Sequence, residues 1–206
     1  MPHSYIKKIL NARVYDVARE TPLDVAPLLS SRLNNQIWLK REDLQPVFSF
    51  KCRGAYNKMS RLDESARQAG VVAASAGNHA QGVALAAQRL SIKATIVMPV
   101  TTPAIKVDAV RARGARVVLC GDTFDEAAVR AAELVATQGL TFIHPFDDPD
   151  VIAGQGTVAM ELVRQAPGPL DYVFICCGGG GLLAGMAAYL RYTWPNTRII
   201  GVEPED

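Results

Sequence analysis

The chain has 206 residues, of which 49% are hydrophobic and 20% charged, with a formal net charge of +2. That composition belongs to a globular chain of one large or two small domains, and its scattered basic residues, never more than two together, give no footprint for nucleic acid or an anionic membrane. No stretch reaches the roughly 18 consecutive apolar residues of a membrane span, and the start, from Met1 to Lys8, lacks the hydrophobic core of a signal peptide.

Residues 4–15 mix apolar and basic positions at helical spacing. Thr21-Pro22-Leu23 ends that run, because a residue before proline is pushed out of the helical region. Residues 25–33 read as a short strand passing into a helical turn, residues 36–41 alternate like a strand, and residues 42–46 form a polar connection. Lys51 then stands where an extended segment gives way to a helix reaching about residue 62. From Gly70 the pattern becomes regular. Strands at 71–74, 94–98, 115–119 and, weakly, 141–143 alternate with helices. Those helices cover 78–89, the stretch from Pro103 as first helical residue to Gly114, and the stretch from a cap at Asp122 or Thr123 to about residue 137. Short apolar strands between longer helices argue for a parallel, doubly wound sheet.

A turn at 147–150 leads into a long amphipathic helix over 151–165, which Pro167-Gly168-Pro169 ends. A buried-type strand at 172–176, four glycines at 178–181, a helix over 182–192 and a strand at 198–203 follow. The four cysteines (Cys52, Cys120, Cys176, Cys177) have neither a disulfide-framework nor a CxxC spacing, so free thiols and a cytoplasmic location are expected. Cys176 and Cys177 follow the strand pattern as small apolar core residues. A last parallel strand without a covering helix reads as an incomplete sheet, whose apolar face and unpaired edge favour low solubility or association.

Three stretches carry chemistry. In Ser49-Phe50-Lys51-Cys52-Arg53-Gly54-Ala55 a lysine opens a helix, where the positive helix end disfavours the ammonium and lowers the amine pKa, as imine formation requires. On this stretch alone an ordinary solvated lysine fits too. Gly178-Gly179-Gly180-Gly181 lies between a strand and a helix, where backbone N–H groups converge on a phosphate. The same region offers a dinucleotide reading, with Gly179, Gly181 and Ala184 as G-x-G-x-x-A and Glu203 as the acidic ribose ligand. Ser75-Ala76-Gly77-Asn78-His79-Ala80-Gln81-Gly82 is a second strand-to-helix junction. It is either an Asn-capped helix or a nest for a carboxylate. His79 is a candidate base or a structural histidine, and His3 and His144 have no partners at metal-ligand spacing.

A reactive lysine, a phosphate loop and a carboxylate nest are what an aldehyde cofactor with a phosphate tail and an amino-acid substrate require. On Thr21-Pro22-Leu23, Lys40-Arg41-Glu42-Asp43, the Lys51 and Asn78 stretches, Ile105-Lys106-Val107-Asp108-Ala109-Val110, Ile152-Ala153-Gly154-Gln155-Gly156-Thr157 and the glycine run with Leu182, the chain resembles the biosynthetic threonine dehydratases. These belong to the pyridoxal-phosphate family of the tryptophan synthase β subunit. The resemblance implies an α/β protein of pyridoxal-phosphate fold type II with two parallel-sheet domains. A large cofactor-anchoring domain would comprise residues 1–56 plus 154–206, and a smaller doubly wound domain residues 57–153. It implies that Lys51 carries pyridoxal 5'-phosphate, that Phe50 packs beside the ring, and that Asn78 hydrogen-bonds the 3-hydroxyl oxygen. Gly178, Gly179, Gly180, Gly181 and Leu182 would hold the phosphate; Ser75, Gly77, Asn78 and His79 would hold the substrate carboxylate. The implied activity is conversion of L-threonine to 2-oxobutanoate and ammonia, or of L-serine to pyruvate, in a homo-oligomer. Family members continue past the position of Asp206 to complete the large domain and face the pyridine nitrogen, so the chain reads as an amino-terminal part. A serine dehydratase or racemase, and a fragment without activity, are the alternatives.

Overall fold

The computed structural model describes residues 2–205, with side chains from Tyr5 onward. The reading of His3 as a histidine without metal partners falls outside these side chains. The first helix, α1 (Pro2–Leu10), stops short of the expected residue 15. The Asn11 side chain takes the Lys7 carbonyl at 2.9 Å, and residues 12–18 turn irregularly while burying Val14 and Ala18. Strand β1 (Leu23–Val25) pairs antiparallel with β2 (Trp38–Lys40), and helix α2 (Pro27–Leu33) joins them. Glu42–Leu44 is a single 3-10 turn.

Helix α3 (Lys51–Met59) begins at Lys51 as expected and ends sooner than residue 62. A short helix, α4 (Glu64–Ala69), follows where none was expected; the Asp63 carboxylate caps it by accepting from Ala66 N at 2.8 Å. Then come β3 (Val71–Ala74), α5 (Asn78–Leu90), β4 (Ala94–Met98), α6 (Ala104–Arg111), β5 (Arg116–Leu119), α7 (Phe124–Gln138) and β6 (Thr141–Phe142). The four strands form one parallel sheet in the order β5-β4-β3-β6. Central β3 is buried on both faces, as helices on both sides of a parallel sheet require. Pro103 occupies the cap of α6 rather than its first residue. Thr123, not Asp122, caps α7 through a reciprocal box with Glu126.

Helix α8 (Pro149–Gln165) starts two residues earlier than expected, because Asp148 accepts from the N–H groups of Asp150 and Val151 and Pro149 fits the first turn. Strand β7 (Tyr172–Cys176), helix α9 (Gly181–Thr193) and strand β8 (Arg198–Val202) complete the described chain, β7 and β8 pairing in parallel. The expectation of a buried-type strand at β7 does not hold. Val173 and Ile175 enter the core with α8 and α9, while Tyr172, Phe174 and Cys176 face outward and are exposed. Successive strand residues point to opposite faces, and only one face is covered. For the same reason Cys176 is exposed and Cys177 half-buried, so neither is a core residue. Among the described residues, no helix is long and apolar enough to cross a membrane.

The junction of α3 and α8 brings backbone against backbone. A Cβ on Gly154 would lie 2.7 Å from Arg53 O and Gly54 Cα. Behind this crossing sits a buried ion cluster. Arg53, fully buried, contacts Glu161 through Nη1 at 2.6 Å and Nη2 at 3.0 Å, and Glu42 through Nε and Nη2, both at 2.8 Å. Lys40 Nζ reaches the same Glu161 carboxylate at 2.6 Å.

Candidate active site

Lys51 is the first residue of α3, with Phe50 as its cap residue. Its Nζ donates to the Pro145 carbonyl at 2.8 Å and lies 5.5 Å from the Phe50 ring centroid. Burial pulls the ammonium below the ordinary lysine value, and the nearby Cys176 thiol acts weakly in the opposite sense. The direction agrees with the sequence reading, but desolvation is the leading cause where the helix end had been invoked. The segment before it is bent: Phe48 has φ +56°, an uncommon conformation for a bulky residue.

Helix α5 meets this site at its beginning. Gly82 lies so close that a Cβ there would sit 2.9 Å from the carbonyl carbon and oxygen of Lys51. One turn earlier, Gly77 caps α5, its N–H donating to Ser75 Oγ at 3.2 Å, and the first N–H groups have no intrahelical acceptor. A Cβ on Gly77 would meet nothing within 4 Å, so the junction is open. The Asn78 carboxamide has no hydrogen-bond partner among the described residues. His79 is buried; Nε2 bonds to the Ile143 carbonyl at 2.8 Å and Nδ1 has no partner. A carbonyl only accepts, so Nε2 carries the hydrogen and Nδ1 is bare. Burial depresses His79 to about 4, so the ring is neutral near pH 7. Such a ring offers a carboxylate no donor; the backbone N–H of His79 in the first turn of α5 does.

The glycine loop lies at the start of α9. Gly180 caps the helix with φ +83°, a conformation that L side chains rarely adopt. Cβ atoms on Gly178 and Gly180 would meet nothing within 4 Å, so these two line open space. Gly179 and Gly181 serve packing: a Cβ on Gly179 would collide with the Phe146 ring, and one on Gly181 would lie 2.8 Å from Phe146 O. The Leu182 and Phe50 side chains both pack against the α8–α9 core, so Leu182 has its backbone N–H to offer the loop.

Lys51 and the glycine loop therefore meet through residues the sequence reading passed over. Pro145 holds the lysine amine, and the adjacent Phe146 seats two of the four glycines. The available signal was their position at the carboxyl end of a parallel strand, β6, where sites in open α/β sheets lie. The residues fit a phosphorylated aldehyde. There is a desolvated amine, an open glycine-lined helix start for a phosphate, and a second open helix start for a carboxylate.

Residues 14–206 match the family described as pyridoxal-phosphate dependent enzyme. The chain belongs to that family, with its α/β fold of type II. It is 58% identical, over 99% of its length, to the L-threonine dehydratase biosynthetic IlvA of Burkholderia multivorans, and 56% identical, over 98%, to the mitochondrial threonine dehydratase of Saccharomyces cerevisiae. It spans 41% and 35% of those proteins, well under half of each. The processed form of threonine deaminase isoform 2 from Solanum lycopersicum superposes with a TM-score of 0.96 at 58% identity, over 98% of this chain and 56% of that one. Serine racemase from Dictyostelium discoideum superposes at 0.90 with 34% identity, over 97% and 65%. The family match removes the dinucleotide reading of Gly179, Gly181, Ala184 and Glu203.

Proposed function

We propose that this chain is the lysine-bearing part of a threonine dehydratase, converting L-threonine to 2-oxobutanoate and ammonia with pyridoxal 5'-phosphate. The observation that carries the reading is the desolvated Lys51 amine, placed beside a glycine loop and a second open helix start. When bound, the cofactor supplies an electron sink that acidifies the substrate Cα–H. Gly178, Gly179, Gly180 and Gly181, with the N–H of Leu182, hold its phosphate at the start of α9. Phe50 would lie beside the ring, and the unpartnered Asn78 amide would bond the ring hydroxyl oxygen. The substrate carboxylate lies on Ser75, Gly77, Asn78 and the backbone N–H of His79. Lys51, whose ammonium form burial disfavours, would take the proton from Cα. Loss of water across Cα–Cβ and hydrolysis then yield the oxo acid and ammonia.

In this reading residues 1–56 and 154–206 form a large cofactor-anchoring domain and residues 57–153 a small one. The parallel sheet of β3 to β6, lying wholly within 57–153, supports that division. Four free cysteines favour the cytoplasm, and the assembly is a homo-oligomer acting on a small amino acid. Threonine is favoured over serine because the threonine enzymes share 56–58% identity and serine racemase 34%. A second reading, cofactor binding without turnover, is favoured by the uncovered face of β7 and β8.

The test is the absorption spectrum of the purified chain with pyridoxal phosphate, beside Lys51→Ala, followed by assay of 2-oxobutanoate from L-threonine. A visible band lost in the variant, with turnover, supports the first reading; a band without turnover supports the second. No Lys51-dependent band refutes both.

A further inference from the structure

We propose that His144 is a positioning residue, whose unprotonated Nδ1 holds the 144–147 turn as a strut between Lys51 and the glycine loop. The inference rests on the reading above that these two elements form one site.

His144 Nδ1 accepts from two backbone groups, Asp147 N at 2.7 Å and Phe146 N at 3.2 Å. An imidazole nitrogen accepts only without a proton, so the ring hydrogen sits on Nε2. The ring stands edge-on to Phe142 and Phe146, with centroids 5.9 and 4.7 Å away, which holds its plane. The turn closed in this way has two outputs. The Pro145 carbonyl meets Lys51 Nζ at 2.8 Å, and Phe146 lies where any side chain on Gly179 or Gly181 would collide with it. One residue further, Asp148 starts α8 and pairs with Lys58 of α3 at 2.7 Å. The strut is therefore anchored at both ends, by β6 before it and by α8 after it, and His144 Nδ1 is the acceptor that sets its bend. Without that acceptor two N–H groups lose their partner and the turn opens. The Pro145 carbonyl then leaves the lysine amine and Phe146 leaves the glycines.

The test separates the acceptor from the ring. In His144→Asn the carboxamide oxygen stands where Nδ1 does, in His144→Gln it reaches one bond further, and His144→Ala has none. Two readouts are taken on the 206-residue chain. One is the pyridoxal phosphate concentration that half-saturates the visible band. The other, without cofactor, is the rate at which trinitrobenzenesulfonate labels Lys51, read by peptide mass spectrometry. His144→Ala and His144→Gln should raise the half-saturating concentration about ten-fold and speed Lys51 labelling several-fold, while His144→Asn stays within about two-fold of the parent in both. Equal behaviour of all three variants, or Asn no better than Gln, overturns the proposal. Should His144→Ala not fold, the Asn–Gln comparison decides. A parent chain without a visible band overturns the cofactor reading instead, and the labelling rates still decide the role of His144.

Discussion

Glu161→Gln is the substitution whose cost follows most directly from the geometry. Glu161 is fully buried on α8, and its Oε1 accepts from Arg53 Nη1 at 2.6 Å and from the Tyr15 hydroxyl at 3.0 Å. Its Oε2 accepts from Lys40 Nζ at 2.6 Å, Arg53 Nη2 at 3.0 Å and Thr21 N at 3.3 Å. With Glu42 also on Arg53, two cations face two carboxylates and the cluster is neutral. Glutamine preserves the shape but leaves one net positive charge and turns an NH2 toward N–H donors. Removing one partner of a buried ion cluster costs about 3–5 kcal/mol, against a total stability of order 5–15 kcal/mol. For a chain of this size that lowers Tm by about 6–20 °C. Urea unfolding at pH 7, followed by far-ultraviolet circular dichroism, measures the difference. A loss below about 1 kcal/mol would refute the claim that this cluster clamps α3 to α8.

The same cluster sets a pH dependence. Burial alone would raise the Glu161 carboxyl, but the hydrogen bond and charge of Arg53, then those of Lys40, outweigh it and hold the group below its ordinary 4.5. A depressed carboxylate contributes stability above its unfolded pKa and loses it as pH falls through the folded value. The parent chain should therefore lose this contribution below about pH 4.5, and Glu161→Gln should show a shallower acid slope. Lys40 behaves differently: burial lowers its ammonium by more than pairing with Glu161 restores. The hydrogen bond and charge of Arg53 are thus the leading causes that hold Glu161 down.

Further substitutions probe the site itself. Gly82→Ala puts a methyl 2.9 Å from the Lys51 backbone, so it should cost about 1–3 kcal/mol and weaken pyridoxal phosphate binding; unchanged unfolding and spectra would contradict the close approach. Gly180→Ala meets no neighbour, so its cost of about 1–2 kcal/mol comes from φ +83° alone, and a Tm equal to the parent's would count against it. In thiol titration of the native chain Cys176 should react readily, while Cys52, buried and pushed up to about 12, should stay silent until the chain unfolds. Phe174→Lys on the open face of β7 should reduce light scattering without lowering Tm, and unchanged scattering would place the sticky surface elsewhere.

Much of the frame was legible because local pattern and tertiary burial agree. Strands β3, β4 and β7 fall where apolar runs flanked by glycine or helical periodicity place them. Helix α4 was passed over because its six residues are too few to show a period and none of them is buried. The outward face of β7 was misread because Tyr172, Phe174 and Cys176 are as apolar as core residues, and sequence alone does not say which face is covered. Lys51, Asn78 and the glycine run stood out through residue types that their junctions make unusual. Pro145 and Phe146 did not, since their role comes from a contact between segments more than thirty residues apart in the chain.

The helices that carry the site also cross at glycines away from any ligand. Gly82 lets α5 touch the backbone of Lys51, Gly54 and Gly154 let α3 touch α8, and a Cβ on Gly185 would press on the Gly156 backbone where α9 crosses α8. Each crossing fixes one helix against the next with no side chain between to absorb a shift. The lysine at the start of α3, the open cap of α5 and the glycine loop of α9 are thus held by a single chain of backbone contacts, through α8. Displacing any one crossing should move all three elements together, so Gly154→Ala, far from the phosphate loop in sequence, should weaken cofactor binding as surely as a change within the loop.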